Sequence, residues 1–316
     1  MTMVDRSLGF LFPGQGSQAV GMLGELAADH AEVRNTFAEA SEALGYDLWQ
    51  VVAEGPKERL DATEVTQPAM LAAGVAAFRG WCGRSPVRPA WMAGHSLGEY
   101  TALVCAGAIG FADGIRLVQE RGRLMQSAVP AGVGAMAALL GLEDDRVIAL
   151  CGAVSTPEEP VSAANFNSPG QVVIAGAAAA VQRALDLAKQ EGAKRAVLLP
   201  VSVPSHCILM APAAAAFKPI LAGVAVAEPQ SPVIHNVDAA AHPEPQQIRD
   251  ALERQLCGCV RWTDSVRHMA GQGVDRFVEC GPGKVLLGLN KRIVADGRAE
   301  AIFNPESLEK ALGLVE

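Results

Sequence analysis

The sequence predicts an α/β protein in which a smaller domain is inserted into a larger one built on a parallel sheet. Short apolar runs at Leu8–Phe12 and Ala90–Ala93 alternate with longer helical stretches such as Gly114–Ala128, the pattern of strands joined by helices. Half of the 316 residues are apolar and only 5% are aromatic, which favours helices packed on a sheet over an all-β sandwich. A functional site is therefore expected at the strand ends.

A different order of elements follows from about residue 130. The predicted elements there are a strand at Gly134–Leu142, a helix at Glu143–Cys151, a hairpin of Val161–Phe166 and Gln171–Ala175, a helix at Ala178–Glu191 and a strand at Arg195–Val201. The order βαββαβ is that of the split βαβ, ferredoxin-like unit. We therefore predict a small ferredoxin-like domain at 129–203, inserted into a large catalytic α/β domain formed by 1–128 and 204–316.

Composition excludes several classes of function. A formal net charge of −8 argues against nucleic-acid binding, which needs a basic face. No run reaches the roughly 18 apolar residues of a membrane span, and the N-terminal apolar run is too short for a signal-peptide core, so a cytoplasmic protein without membrane contact is expected. The seven cysteines are then expected to be reduced thiols. Cys257 and Cys259 form a lone C-x-C, so no metal site is expected.

The segment Gly94-His95-Ser96-Leu97-Gly98 has the G-x-S-x-G pattern between an apolar strand and a predicted helix. Strand, sharp turn and helix are the context of a nucleophile elbow, and the flanking glycines let the backbone turn tightly. Ser96 is therefore the candidate nucleophile, and the larger domain is expected to be α/β-hydrolase-like. The alternative is a glycine-rich turn whose serine caps a helix.

A serine nucleophile needs a base, and His206 is the best placed of six histidines because it follows a predicted strand end. Ser205 is expected to cap a helix there, and the positive potential of that helix N-terminus would lower the pKa of His206 and favour the neutral imidazole. The alternative is a capping or core histidine. His95 competes for the role, but as the neighbour of Ser96 its side chain should point away from the nucleophile.

The glycine-rich segment Gly14–Gln18 follows the first predicted strand. It lacks the Gly-Lys-Ser/Thr of a phosphate loop and the full G-x-G-x-x-G pattern. We expect an oxyanion-hole loop in which the backbone N–H of Gln15 acts beside that of Leu97, the residue after the nucleophile. A plain turn is the alternative.

Arg121 lies in an apolar stripe of a predicted helix, between Leu117 and Met125. An arginine on an inward face needs an anionic partner, and its planar fork matches a carboxylate bidentately. That partner is either an Asp or Glu of the protein or, if the protein supplies none, a carboxylate of the substrate.

Several segments together resemble one known family. They are Gly14–Gln18, Gly94–Tyr100, Arg121-Gly122 with Met125-Gln126, Asn165–Gln171, Pro204–His206 and Gly281–Lys284. In this order, over nearly the whole chain, they are similar to the malonyl-CoA:acyl carrier protein transacylases of type II fatty acid synthesis.

The resemblance implies a role for each site residue. It implies Ser96 as nucleophile, His206 as base, Gln15 and Leu97 as oxyanion donors, Arg121 as the clamp for the malonyl carboxylate, and Met125, His95 and Asn165 as further substrate-binding residues. It also implies that Gln255 orients His206 through a carbonyl acceptor, where a hydrolase would use an acidic residue. Cys257-Gly258-Cys259 departs from the family, whose members often have a proline shortly after this glutamine.

The implied function is ping-pong transfer of malonyl from malonyl-CoA to the phosphopantetheine thiol of acyl carrier protein, by a monomer without a cofactor. The alternatives are a serine esterase or thioesterase, an acyltransferase that supplies a polyketide synthase, and a non-catalytic acyl-CoA or carrier-protein binding module. The family's carrier proteins are acidic, so recognition requires local positive charge. Lys194, Arg195, Lys284, Lys291 and Arg292 are the candidates, and ordinary solvated surface charge is the alternative.

Overall fold

Two separate sheets organise the computed structural model, which describes residues 2–130, 132–201 and 203–316. In chain order the strands are β1 (Met3–Phe12), β2 (Val87–Gly94), β3 (Gly134–Leu140), β4 (Val161–Ser168), β5 (Gln171–Ala177), β6 (Arg195–Leu198), β7 (Val233–Ile234), β8 (Arg276–Cys280) and β9 (Arg298–Ile302). One sheet has the order β7-β2-β1-β8-β9 and the other the order β4-β5-β3-β6.

Helices connect and cover these strands. They are α1 (Gly24–Asp29), α2 (Ala31–Leu44), α3 (Leu48–Glu54), α4 (Lys57–Leu60), α5 (Thr63–Arg84), α6 (Leu97–Cys105), α7 (Phe111–Ser127), α8 (Asp144–Val154), α9 (Ala178–Gln190), α10 (Ala211–Ala222), α11 (Pro245–Gln255), α12 (Trp262–Gly271), α13 (Val285–Ile293) and α14 (Pro305–Leu312), with a 3₁₀ turn at Ile208–Met210. Within the described ranges, no helix combines the length and apolar character that crossing a bilayer requires.

The five-stranded sheet is parallel throughout and is buried on both faces. Its central strand β1 is a continuous apolar run from Leu8 to Phe12, as expected for a strand covered on both sides. On one face Phe10 packs edge-on against Trp81 of α5, with ring centroids 5.1 Å apart. On the other face the core includes Trp262 of α12 and Phe277 of β8.

The four-stranded sheet is antiparallel and has the βαββαβ strand order of a ferredoxin-like unit. Successive side chains of its strands point to opposite faces of the sheet, so that Ala137 and Leu139 of β3 face α8 and α9 whereas Met136 faces the opposite side. The predicted fold class, a parallel sheet in one part and a ferredoxin-like sheet in another, is confirmed. The domain boundaries at 128/129 and 203/204 stay a prediction.

Backbone hydrogen bonds join the smaller sheet to the larger part of the molecule. The amide of Phe166 in β4 donates to the carbonyl of Val260, 2.9 Å away, and the Val260 amide donates to the carbonyl of Ala164 over 2.8 Å. The edge of the smaller sheet is thus fixed to the segment between α11 and α12. This attachment brings the β4–β5 hairpin close to the carboxyl ends of the parallel strands.

Several predicted elements begin or end a few residues away from their predicted bounds. The strand predicted at Arg195–Val201 ends at Leu198, because Pro200 has no N–H with which to continue the ladder beside β3. The helix predicted to begin at Gly114 begins at Phe111, directly after Gly110.

Close packing of α5 against α6 and β1 generates a stability prediction. A Cβ on Gly74 would lie 2.6 Å from Thr101 Cγ2 and 3.3 Å from Phe12 Cδ1, whereas a Cβ on Gly80 of the same helix meets nothing within 4 Å. Gly74→Ala should therefore lower the free energy of unfolding by about 1–3 kcal/mol through overpacking. Gly80→Ala should raise it by about 0.5–1 kcal/mol through helix propensity. Urea unfolding of both variants checks this, and equal effects would contradict the packing described.

Candidate active site

The turn between β2 and α6 can be formed only with glycine on both sides of Ser96. A Cβ on Gly94 would lie 1.9 Å from the carbonyl carbon of Gly98, and a Cβ on Gly98 would lie 2.0 Å from the carbonyl oxygen of Phe12. Ser96 itself has φ 52°, a strained value for a residue with a side chain. The half-buried serine therefore sits on the sharp strand-to-helix turn that the sequence pattern predicts.

Asn236, which follows the neighbouring strand β7, holds this turn. Its Oδ1 accepts a hydrogen bond from the Ser96 amide at 2.7 Å, and its Nδ2 donates to the Gly94 carbonyl at 2.7 Å. Asn236 was not among the predicted site residues. The signal was available, since Asn236 comes just after β7 and polar residues at parallel strand ends often belong to a site.

His206 lies between Ser96 and the backbone of Gln255. Its Nε2 is 2.7 Å from Ser96 Oγ, and its Nδ1 is 2.9 Å from the Gln255 carbonyl oxygen. Because a carbonyl oxygen can only accept, Nδ1 carries the proton and Nε2 is free to accept from the serine hydroxyl. This is the tautomer that a general base needs.

The environment keeps the His206 imidazole neutral. Burial, followed by the positive charge of Arg121, lowers the pKa of His206 to about 3. The direction agrees with the prediction, whereas burial and Arg121 are causes that the sequence did not indicate. No side chain caps the 3₁₀ turn or α10 that follow His206, so Ser205 is not the predicted helix cap.

Arg121 is 1% exposed and is held by neutral groups. Its Nη1 donates to Gln67 Oε1 at 2.9 Å, and its Nη2 donates to Gln255 Oε1 at 2.8 Å and to Ser96 Oγ at 3.2 Å. The guanidinium also lies 5.2 Å from the ring centre of Tyr100. No Asp or Glu in the described part of the chain forms a salt bridge with it.

Gln255 joins the serine, the histidine and the arginine. Its fully buried side chain donates through Nε2 to the Ser96 carbonyl at 3.0 Å and to Glu99 Oε2 at 2.7 Å, while its Oε1 faces Arg121. Its backbone carbonyl contacts His206. The carbonyl acceptor that the resemblance implied is thus the main-chain oxygen, and the side-chain contacts were not foreseen.

The Gln15 loop runs beside the elbow. A Cβ on Gly14 would lie 2.6 Å from the His95 carbonyl oxygen, so this loop and the turn are in close contact. Within residues 2–130, 132–201 and 203–316, the backbone N–H groups of Gln15 and Leu97 donate to no protein acceptor. The exposed Gln15 side chain reaches Thr63 Oγ1 at 3.4 Å.

The other residues predicted to bind substrate are Met125, His95 and Asn165, and each has different neighbours. Met125 is buried, and its Sδ accepts from Gln67 Nε2 at 3.6 Å. His95 Nε2 is 2.8 Å from Asn167 Oδ1, so the ring points away from Ser96 as expected.

Asn165 is buried in β4, and its backbone pairs with Val173. In the part of the chain that the structure describes, its side chain forms no hydrogen bond with Ser96, His206 or Arg121. No cluster of three metal-ligating side chains occurs in those same ranges.

Comparison with known proteins identifies the family. The family model for the acyl transferase domain matches residues 9–302. The chain belongs to this acyl transferase family. This match, together with relatives that are more than half identical, confirms the resemblance drawn from the sequence motifs.

Several relatives of this acyl transferase are named for the same activity. The malonyl CoA-acyl carrier protein transacylase of Escherichia coli K12 is 55% identical over 305 residues, 96% of this chain and 98% of that protein. The acyl carrier protein S-malonyltransferase of Vibrio cholerae has a TM-score of 0.94 at 56% identity, over 96% of this chain and 99% of that one. A malonyl-transacylase solved in complex with a type II PKS acyl-carrier protein has a TM-score of 0.95 at 52% identity, over 98% of this chain and 99% of that one.

The low pKa of His206 generates a prediction on stability. Because the folded-state pKa lies below the unfolded value of about 6.5, the unfolded chain takes up a proton first as the pH falls. The contribution of His206 to stability is therefore lost as the pH drops from about 6.5 towards the folded pKa of about 3. Between about pH 7 and pH 5 the free energy of unfolding of the wild type should fall by about 2 kcal/mol more than that of His206→Gln. Urea unfolding at both pH values measures this difference, and parallel losses would contradict it.

Proposed function

We propose that this acyl transferase moves a malonyl group from malonyl-CoA to the phosphopantetheine thiol of acyl carrier protein, for fatty acid synthesis, through an ester on Ser96. The observation that carries this proposal is the buried Arg121 guanidinium, 3.2 Å from Ser96 Oγ and held only by neutral groups. A buried cation without an anionic partner, beside a nucleophile, fits an acyl group that ends in a carboxylate.

The first half-reaction acylates the serine. His206 Nε2 takes the proton of the Ser96 hydroxyl as Oγ attacks the thioester carbonyl, and the Gln255 carbonyl accepts from Nδ1–H and so orients the ring. The tetrahedral intermediate collapses with loss of the coenzyme A thiolate. That thiolate takes the proton from His206, which returns to its neutral state.

Two backbone amides are suited to stabilise the oxyanion of that intermediate. The N–H groups of Gln15 and Leu97 come from the two segments in contact at Gly14 and His95, and within the described ranges neither is used by a protein acceptor. We assign them as the oxyanion donors.

The second half-reaction transfers the malonyl group to the carrier protein. The phosphopantetheine thiol gives its proton to His206 Nε2 and attacks the ester carbonyl. Ser96 leaves as an alkoxide and recovers the proton from His206, so no net proton is gained or lost. The scheme uses no cofactor, with malonyl-CoA as substrate. Met125 borders the acyl site through Gln67, whereas His95 and Asn165 are assigned to the outer part of the substrate site.

Other functions fit the arrangement less well. An esterase or thioesterase would share Ser96 and His206 but has no use for a buried arginine with neutral partners. A non-catalytic binding module has no use for the short Ser96–His206 contact. Supply of a polyketide synthase is the same reaction with another carrier, and the relative named with a type II PKS acyl-carrier protein supports that second setting. A cytoplasmic location and a monomeric state stay predictions.

A basic surface next to the β4–β5 hairpin fits an acidic carrier protein. The stem of Lys194 lies against Gly141, where a Cβ would be 2.7 Å from Lys194 Cγ, and the Gly141 amide donates to the Gly170 carbonyl at 2.8 Å. Arg292 Nη1 donates to Gln171 Oε1 at 2.8 Å. Lys194 and Arg292 are exposed beside the hairpin, and the other three candidates, Arg195, Lys284 and Lys291, are exposed as well. Their positive charge would steer an acidic partner towards the site at low salt.

Removal of the nucleophile tests the covalent step. Ser96→Ala should form no malonyl-enzyme, because the hydroxyl is the only proposed point of attachment. Intact-protein mass after brief mixing with malonyl-CoA measures this directly. His206→Ala should still be acylated, but about two to four orders of magnitude more slowly. A stable malonyl adduct on the Ser96→Ala protein would refute the scheme.

Removal of the clamp tests the acyl specificity. Arg121→Ala should reduce acylation by malonyl-CoA by about tenfold to a hundredfold, since a hydrogen bond to a charged group contributes roughly 1.5 to 3 kcal/mol. Acylation by acetyl-CoA should be unchanged or faster, because a neutral chain gains nothing from the guanidinium. Rates for both thioesters, with the thermal midpoint of each protein, make the comparison. Equal loss of both substrates with a lowered midpoint would assign Arg121 a structural role only.

A further inference from the structure

We propose that Glu99 is a positioning residue of the malonyl site, which acts through the side-chain amide of Gln255 to hold Arg121 in its carboxylate-binding position. The inference rests on the proposed function and adds a specificity determinant to it. Glu99 lies on the first turn of α6, three residues after Ser96, and is completely buried.

Three donors converge on the Glu99 carboxylate. His235 Nδ1 lies 2.7 Å from Oε1, while the backbone amide of Asn236 and the Nε2 of Gln255 donate to Oε2 at 2.9 and 2.7 Å. A buried carboxylate with several hydrogen-bond donors is fixed in place more firmly than one with a single partner. Glu99 is thus a rigid acceptor, with one of its bonds directed at the residue that contacts Arg121.

The Glu99 bond determines which way the Gln255 amide faces. Nε2 points to Glu99 Oε2 and the Ser96 carbonyl, so that Oε1 points to Arg121 Nη2 at 2.8 Å. In the reversed orientation, the amide NH₂ would meet the guanidinium, donor against donor, and its oxygen would meet a carboxylate. Of the two bonds that Nε2 donates, the one to the charged acceptor is the stronger. Without it the Nε2 end of the amide is held only by the Ser96 carbonyl.

The Gln255 amide between Glu99 and Arg121 also preserves the positive charge of the guanidinium. If the Glu99 carboxylate bonded Arg121 directly, it would neutralise the guanidinium and occupy the position that the malonyl carboxylate needs. With Gln255 between them, the negative charge balances the buried positive charge at a distance while the donor face beside Ser96 Oγ stays free of an anion. Glu99 therefore lowers the cost of burying Arg121 without competing with the substrate.

If Glu99 had a purely structural role, its replacement would have a different effect. Glu99 also supports Asn236, which holds the Ser96 turn, so its loss as a simple scaffold residue would slow acylation by every thioester alike. A positioning role through Arg121 instead affects the malonyl group selectively. The ratio of malonyl to acetyl acylation separates the two.

The test uses Glu99→Gln in the full-length protein. A glutamine offers a single acceptor oxygen to the three donors, so the Gln255 amide is held less firmly in the orientation that faces Arg121. We expect the malonyl-to-acetyl ratio of kcat/KM for Ser96 acylation to fall by about tenfold, mainly through KM for malonyl-CoA. Glu279→Gln is the matched control, because Glu279 is equally buried but accepts from the Leu286 and Leu287 amides of α13. It should lower the thermal midpoint and leave the ratio unchanged.

Two further variants keep the test decisive if Glu99→Gln folds poorly. Gln255→Met removes the amide but keeps the backbone carbonyl that orients His206, and it should lower the ratio as Glu99→Gln does. In an Arg121→Ala background, Glu99→Gln should leave the ratio as it is, since the clamp is already gone.

The outcomes distinguish failure of the inference on Glu99 from failure of the proposed function. If Arg121→Ala abolishes malonyl preference but Glu99→Gln and Gln255→Met slow both thioesters equally, the inference on Glu99 is overturned and the proposed function stands. An unchanged ratio at normal rates would overturn it as well. If Arg121→Ala itself slows both thioesters equally, the proposed clamp fails first.

Discussion

The buried positive charge of Arg121 is the constraint around which the site is organised. A guanidinium at 1% exposure costs several kcal/mol unless its surroundings compensate for the lost water. The protein supplies amide oxygens from Gln67 and Gln255 and the face of Tyr100, all of which are neutral. These groups contact the Nη atoms without cancelling the charge, while the buried Nε has no hydrogen-bond partner in the described part of the chain. The charge then acts on its neighbours, since it helps to keep His206 unprotonated.

Backbone strain sets the positions of the reacting groups. Ser96 and His206 both have positive φ, at 52° and 62°, which few residues with side chains adopt. Each such residue costs of order 1–3 kcal/mol and persists only where neighbouring contacts fix it. Asn236 and the two glycines of the turn fix Ser96, whereas burial and the Gln255 carbonyl fix His206. The 2.7 Å contact between serine and histidine thus rests on tight packing around both.

Sequence reasoning succeeded where the chemistry is local. The G-x-S-x-G turn, the apolar stripe with Arg121 and the βαββαβ order all follow from neighbours along the chain, and each is present in the structure. The network through Gln67, Glu99 and Asn236 could not be predicted in this way, because its contacts join residues 54 to 156 positions apart. A lone glutamine in α5 carries no periodic or motif signal. The cause of the low His206 pKa was missed for the same reason, since it depends on which distant residues bury the ring.

The orientation of His206 by a carbonyl oxygen, under the proposed function, favours transfer over hydrolysis. A carboxylate in that place would stabilise the imidazolium, whereas the Gln255 carbonyl does so only weakly and Arg121 opposes it. His206 is therefore a weak base. A thiol ionises with a pKa of about 8.5 and needs little help. Water, with a pKa of about 15.7, is about as weak an acid as the serine hydroxyl, but it lacks the fixed 2.7 Å contact with Nε2 that compensates for this weakness in Ser96. A weak base thus discriminates between the two acceptors by their acidity, and the malonyl ester on Ser96 persists until a thiol reaches it.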